Sequence, residues 1–213
     1  MGIYEELGVK KVINASGTLT DLGGSIMDEE TIKAMNEAAK SFVYMNELME
    51  KAGEIIAEVT GAEKGLVTSG AAASLALAAA ACMTGKDLAK IARLPDTTGM
   101  KNEIIIQRMH RNPFDSCLRV SGAKLVEVGH QFGTKAWEVE AAINDKTAAI
   151  VHFVFDPQPG VLPLEEVIKI GKKHDVPVIV DAAAELPPVE NLRKFIAMGA
   201  DLVLFSGGKQ IRG

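Results

Sequence analysis

The sequence predicts an α/β domain with a mostly parallel sheet, and three observations carry that expectation. Short apolar runs alternate with helical segments along most of the 213 residues, the order that produces parallel strands joined by crossover helices. The last apolar run, Leu202-Val-Leu-Phe205, leads at once into Ser206-Gly-Gly-Lys209. A strand ending this way delivers an amine to the carboxyl edge of a sheet, where open α/β folds hold their ligands. Earlier, Ser69-Gly-Ala-Ala-Ala-Ser74 joins an apolar run to an alanine-rich helix. Small residues at such a turn leave backbone N–H groups accessible at a helix N-terminus.

Composition narrows the function classes. Apolar residues make up 47% of the chain, enough for a sizeable core, and the net charge of −5 argues against a polyanion as main partner. No apolar run approaches the roughly 18 residues of a membrane span. The first residues, Met1-Gly-Ile-Tyr-Glu-Glu6, have neither the basic start nor the apolar core of a secretory signal, and Glu6 breaks the myristoylation pattern. Cys82 and Cys117 have no metal-ligand spacing. Cys82 sits in the alanine-rich helix and reads as core packing, so a reduced, cytoplasmic protein is the simplest expectation.

In chain order, residues 1–10 read as a short helix. Val12-Ile-Asn-Ala-Ser-Gly-Thr18 is an extended segment rich in small polar groups. Asp28 is a good N-cap for a helix over 29–41, and Asn46 for a second over 47–60 that Gly61 ends. Residues 65–68 read as the first sheet strand, followed by a helix to about Met83 and a loop or broken helix over 85–102. Strands are expected at 103–107, 124–128, 148–153, 176–180 and 202–205. Between them lie helices near 114–120, 135–143, 164–174 and 190–198, with a Pro/Gly turn at 157–163.

Three groups at strand ends carry chemistry. The Ser69-Gly70-Ala71 turn suits a phosphate, although small residues also start helices for packing reasons. Asp181, ending Val178-Ile-Val, either caps the next element or pairs with a buried cation. Lys209 is either solvated or, given its glycine neighbours and apolar approach, placed for chemistry. Together they match pyridoxal phosphate, which needs an anion cradle, a carboxylate for its pyridinium nitrogen and an amine for its aldehyde.

On these motifs, the chain resembles the large domain of the fold type I (aspartate aminotransferase-like) pyridoxal phosphate enzymes, a three-layer α/β/α fold. More closely, it resembles the bacterial selenocysteine synthase (seryl-tRNA selenium transferase) group and its ammonia-lyase-type relatives acting on amino sugar acids such as glucosaminate 6-phosphate. The similarity runs through Val12–Thr18, Thr68–Ser74, Val178–Asp181 and, most specifically, Phe205-Ser-Gly-Gly-Lys-Gln-Ile-Arg-Gly213.

The resemblance implies that Lys209 attaches the cofactor and Asp181 pairs with its ring nitrogen. It implies that Ser69, Gly70, Ala71 and Ser206 contact the phosphate. His110 either stacks on the cofactor ring or is a surface histidine. Arg108 or Arg111 receives a substrate carboxylate or phosphate, a role that suits guanidinium. Asn14 and Thr18 lie on the substrate side. His152 and His174 read as structural. The expected division is an N-terminal substrate-side segment over 1–62 and a cofactor-binding domain over 63–213.

Two departures favour a small amino acid or amino sugar acid over aminoacyl-tRNA. Asp181 is followed by Ala-Ala-Ala-Glu185 rather than Gly/Ser-rich sequence, and the motif at Asn14 stands close to the start. Similar enzymes continue well past the lysine. The 213 residues are therefore expected to lack an antiparallel sheet strand and a small C-terminal domain. The expected activity is α-proton abstraction with β-elimination, in a homodimer or higher oligomer. The alternatives are seryl-tRNA selenium transfer and a catalytically incomplete oligomerisation or regulatory chain.

Overall fold

The computed structural model describes residues 2–155 and 158–213. The chain forms two compact units, one of the residues up to Ser41 with Gly207–Gly213, the other of Phe42–Ser206. The division expected at 62/63 falls inside the larger unit.

The smaller unit contains α1 (Ile3–Glu6) and α2 (Glu29–Ala38). The first helix is a single turn rather than the stretch expected over 1–10. Gly8 turns away at φ +71°, and Met1 lies outside the described residues. Helix α2 starts where its cap predicts, because the Asp28 carboxylate accepts the Thr31 N–H at 2.8 Å. It stops at Ala38, short of the expected 41.

The larger unit begins with α3 (Met45–Thr60), α4 (Ala71–Thr84) and α5 (Leu88–Arg93). It continues β1 (Glu103–Gln107), α6 (Ser116–Val120), β2 (Lys124–Val128), α7 (Ala136–Ala142) and β3 (Thr147–Phe153). The last elements are α8 (Leu164–His174), β4 (Val178–Asp181), α9 (Asn191–Met198) and β5 (Leu202–Leu204). The five strands pair in parallel in the order β2-β1-β3-β4-β5. Helices cover both faces. Val139, Val167, Ile168 and Phe195 from α7, α8 and α9 pack on one, and Leu75, Ala79, Met83 and Leu118 from α4 and α6 on the other.

Two expectations give way. Asn46 does not cap α3; the helix starts at Met45 after Tyr44, so Asn46 lies inside the first turn. Residues 65–68 form no strand, and Leu66 and Val67 are 60% and 48% exposed. The segment is committed elsewhere. A Cβ on Gly53 of α3 would run into the Gly65 carbonyl, so the backbones of helix and segment touch. The Thr68 hydroxyl is spent on the turn that follows. The Pro/Gly turn expected at 157–163 begins at Pro157, outside the described residues. Beyond it Pro159-Gly160 is a turn, and the Gly160 carbonyl accepts the Thr134 N–H at 2.9 Å.

Strand order fixes where a ligand can sit. From β1 the chain steps outward to β2, then returns across β1 to β3. The crevice beyond the carboxyl ends of β1 and β3 is therefore the topological switch point, the usual ligand site of open parallel sheets.

Candidate active site

Two candidate residues flank the end of β3, one wall of that crevice. Gln107 ends β1, a short 3₁₀ turn over Arg108–His110 follows, and His110 is folded back, only 2% exposed. The backbone N–H of Phe153, the last residue of β3, donates to His110 Nδ1 at 3.4 Å. Phe153 is also the register partner of Asp181 at the end of β4, and the Asp181 carbonyl accepts the Val154 N–H at 2.9 Å. His110 and Asp181 are thus both built around one residue of β3. The surface-histidine alternative for His110 is excluded by its burial. The Phe155 ring flanks it edge-on at 5.8 Å.

Asp181 is 8% exposed, and its Oδ1 accepts the Ala183 N–H at 2.9 Å. That bond turns the chain after β4 and orients the carboxylate, so the capping alternative and the functional one share the same geometry. Beside Asp181, the Leu204 carbonyl of β5 accepts the Ala182 N–H at 2.9 Å, and Ser206 follows, half-buried.

The turn before α4 is held by hydroxyls. Thr68 Oγ1 bonds the Gly70 carbonyl at 2.9 Å and Ser74 Oγ at 2.8 Å. Gly70 stands at φ +123°, with open space where a Cβ would lie. No side chain caps α4, and its first intrahelical donor is the Ser74 N–H, which reaches the Gly70 carbonyl at 3.0 Å. The amides of Ala71, Ala72 and Ala73 thus stand without an intrahelical acceptor, as at any helix start, and face an anion-favouring dipole. Ser69 and Gly70 are exposed.

The two arginines separate. Arg111 is engaged by Asp115, Nε to Oδ2 at 2.6 Å, and by Glu127, so its charge is matched by two carboxylates. These partners hold its pKa above the usual guanidinium value, Asp115 foremost. Arg108 is exposed, and no ion pair ends on it among the described residues.

Asn14, Thr18 and Lys209 belong to the smaller unit. Asn14 is spent locally, donating to the Gly17 carbonyl at 2.7 Å and accepting the Ser16 N–H at 2.9 Å. Thr18 is half-buried. Lys209 is half-buried in the turn 207–211. Ser25 clamps that turn, its N–H and hydroxyl donating to the Gly208 carbonyl at 2.9 and 3.0 Å.

The sequence does not single out Ser25, the Thr68–Ser74 hydroxyl pair or Gln107, and His152 reads there as structural. Gln107 and His152 carried a signal, each being a polar residue inside an apolar strand.

The sequence profile of the SelA family, described as L-seryl-tRNA selenium transferase, matches residues 12–213. The chain is similar to D-glucosaminate-6-phosphate ammonia lyase of Salmonella typhimurium (strain 14028s / SGSC 2262), at 42% identity over 97% of this chain and 57% of that protein. It is also similar to a 5'-C-glycyluridine monooxygenase-decarboxylase of a Streptomyces species, at 40% identity over 98% of this chain and 53% of that one. A solved D-glucosaminate-6-phosphate ammonia-lyase superposes with a TM-score of 0.93 at 41% identity, covering 98% of this chain and 57% of that chain. The chain spans about half the length of the curated relatives it matches. The fold is the expected α/β domain of the pyridoxal phosphate transferase-like enzymes. The profile spans nearly the whole chain, which therefore belongs to the SelA, L-seryl-tRNA selenium transferase, family.

Proposed function

We propose that this chain is the cofactor-binding part of a pyridoxal phosphate-dependent lyase that removes an α-proton from a small amino acid or amino sugar acid and eliminates a group from the adjacent carbon. The observation that carries this reading is that a buried imidazole, His110, and a buried carboxylate, Asp181, both neighbour Phe153 at the carboxyl end of β3, beside the sheet's switch point. The 42% identical ammonia lyase supports the substrate class.

The residues present fit the cofactor. The open Gly70 position and the amides at the start of α4 suit its phosphate, with Ser69, Ala71 and Ser206 alongside. The buried Asp181 carboxylate suits a protonated ring nitrogen, which it keeps charged. The edge-held His110 ring suits stacking on a flat heteroaromatic group. Pyridoxal phosphate, when bound, supplies an electron sink for the bond cleaved next to the substrate nitrogen.

Lys209 would hold the aldehyde through its amine and, when that amine is free, would take up the α-proton at Nζ, while the electron pair left behind would depart with the leaving group of the adjacent carbon. Arg108 receives a substrate anion, and the family resemblance assigns Asn14 and Thr18 to the substrate. The same reading places the protein in the cytoplasm, with Cys82 and Cys117 reduced, and takes a homodimer as the default assembly.

The test is reconstitution with pyridoxal phosphate, borohydride reduction and peptide mapping. The expected result is a visible absorption band and cofactor trapped on Lys209, both lost in Lys209→Ala, with ammonia released from an amino sugar acid. An unchanged band in Lys209→Ala, or trapping at another lysine, overturns the reading. Seryl-tRNA selenium transfer, which the family's description favours, predicts tight salt-dependent tRNA binding. The net charge of −5 opposes it.

A further inference from the structure

His152 and Gln107 lie outside every role assigned above, yet both are buried polar side chains, 6% and 2% exposed. Gln107 is locked at both ends of its amide. Its Nε2 donates to the Leu162 carbonyl at 3.0 Å, and its Oε1 accepts the Leu162 N–H at 2.8 Å. This pairing leaves no ambiguity about which end is nitrogen, because a backbone carbonyl cannot donate and a backbone N–H cannot accept. The second hydrogen of Nε2 is left for His152 Nδ1, at 3.5 Å. An amide nitrogen only donates, so His152 Nδ1 must offer a lone pair and its ring proton must sit on Nε2.

The partner of His110 Nδ1 is the Phe153 N–H, also an obligate donor, so this nitrogen too offers a lone pair. The two imidazoles pack edge to face, with centroids 4.4 Å apart and planes at 87°. At 3.4 Å that single bond is long, and a ring held by it alone can swing off the donor and exchange tautomers. The perpendicular contact with His152, itself anchored through Gln107 and Leu162, removes that freedom.

We propose that His152, anchored by Gln107, is a positioning residue that locks His110 as the neutral Nε2–H tautomer with a fixed ring plane, so that His110 meets the cofactor as a stacking ring and hydrogen-bond donor, not as a base. The role in cofactor binding rests on the function proposed above; the tautomer lock does not. Burial supports it, holding His110 down at about 4, and burial with the His110 charge holds His152 down at about 3. With its lone pair engaged and its protonated form disfavoured, His110 has no free site to accept the α-proton, and proton transfer falls to Lys209.

Long-range ¹⁵N–¹H spectra of histidine-labelled protein test the lock without any cofactor. Near neutral pH, His110 and His152 should each show one unprotonated Nδ1 and one protonated Nε2. Histidine substitutions assign the signals among His110, His130, His152 and His174. In His152→Ala, His110 should lose its single-tautomer signature and give averaged nitrogen shifts, and His152→Phe, which restores a ring edge, should recover it. A merely structural His152 would lower the melting temperature in His152→Ala and leave the His110 nitrogens unchanged, which overturns the proposal. Should His152→Ala not fold, Gln107→Leu serves in its place, with averaged shifts expected at His152. In the unaltered protein, a protonated Nδ1 or a cationic ring at His110 also overturns it. An intact tautomer in a protein that binds no pyridoxal phosphate refutes the cofactor reading and leaves the lock standing.

Discussion

Phe153 and Asp181 stand opposite each other where β3 and β4 end, and the Phe153 N–H is turned to His110 Nδ1 at 3.4 Å. One backbone residue thereby sets the positions of a buried carboxylate and a buried imidazole that are 71 positions apart in the chain (residues 110 and 181). The arrangement makes the effect of altering the carboxylate specific. Asp181→Asn keeps an oxygen for the Ala183 N–H, now held at 2.9 Å, so the fold should survive. Loss of the charge should lower turnover by about 10²–10³-fold, the range for removing one preorganised electrostatic contact. Thermal melting alongside steady-state kinetics checks both halves of this expectation.

The two buried histidines make stability depend on pH. Free histidine titrates near 6.5, whereas burial lowers His110 to about 4 and His152 to about 3. Below about pH 6.5 the unfolded chain therefore takes up protons that the folded chain refuses. Stability is complete above that value, falls as pH drops towards the folded-state values, and levels off below them. His110 alone accounts for a loss on the order of 3 kcal/mol across its window. Urea midpoints measured between about pH 7.5 and 5 should fall with acid, and His110→Asn should flatten part of that slope.

Gly53→Ala tests the close approach of α3 to the 65–68 segment. The added Cβ meets a backbone carbonyl rather than a side chain that can swing away. Overpacking of this kind costs about 1–3 kcal/mol, against the roughly 0.5–1 kcal/mol that an alanine gains over glycine in a helix interior, and here the obstacle is backbone. A lower denaturant midpoint with unchanged slope is the expected outcome.

Arg108 and Arg111 should respond oppositely. Removing Arg111 strands the Asp115 carboxylate, which is buried and otherwise retains the Asn112 N–H at 3.1 Å. Arg111→Met should therefore destabilise the protein by about 1–3 kcal/mol. Arg108→Met should leave the melting temperature unchanged and raise KM for an anionic substrate about tenfold or more, the scale of a charge-assisted hydrogen bond. Differential scanning calorimetry and substrate titration separate the two.

Much of the fold was legible in local pattern. Helix α8 and strands β1 and β2 fall on the expected residues, because each is a strong periodic or apolar run with clear breaks. Asp28 announced α2 through a cap that forms as read. The failure at 65–68 is instructive: Gly65-Leu-Val-Thr68 has strand composition, but a strand also needs a neighbour. Here the Gly53–Gly65 approach and the Thr68 hydroxyl bonds hold the segment instead. That the His110 ring packs against His152 was not legible, because a histidine within an apolar strand says nothing of which ring lies beside it.

Residue type and order along the chain were enough to establish the α/β class, the Ser69 turn, the Asp181 strand end and the Ser206–Lys209 segment, because strand ends and helix starts are local events. The depth of His110, the lone pairs claimed by Phe153 and Gln107, and the neutralisation of Arg111 by Asp115 and Glu127 were not legible there. They depend on backbone and side-chain groups that meet only when β1, β2, β3 and β4 lie side by side, and electrostatic state follows from those neighbours rather than from sequence position.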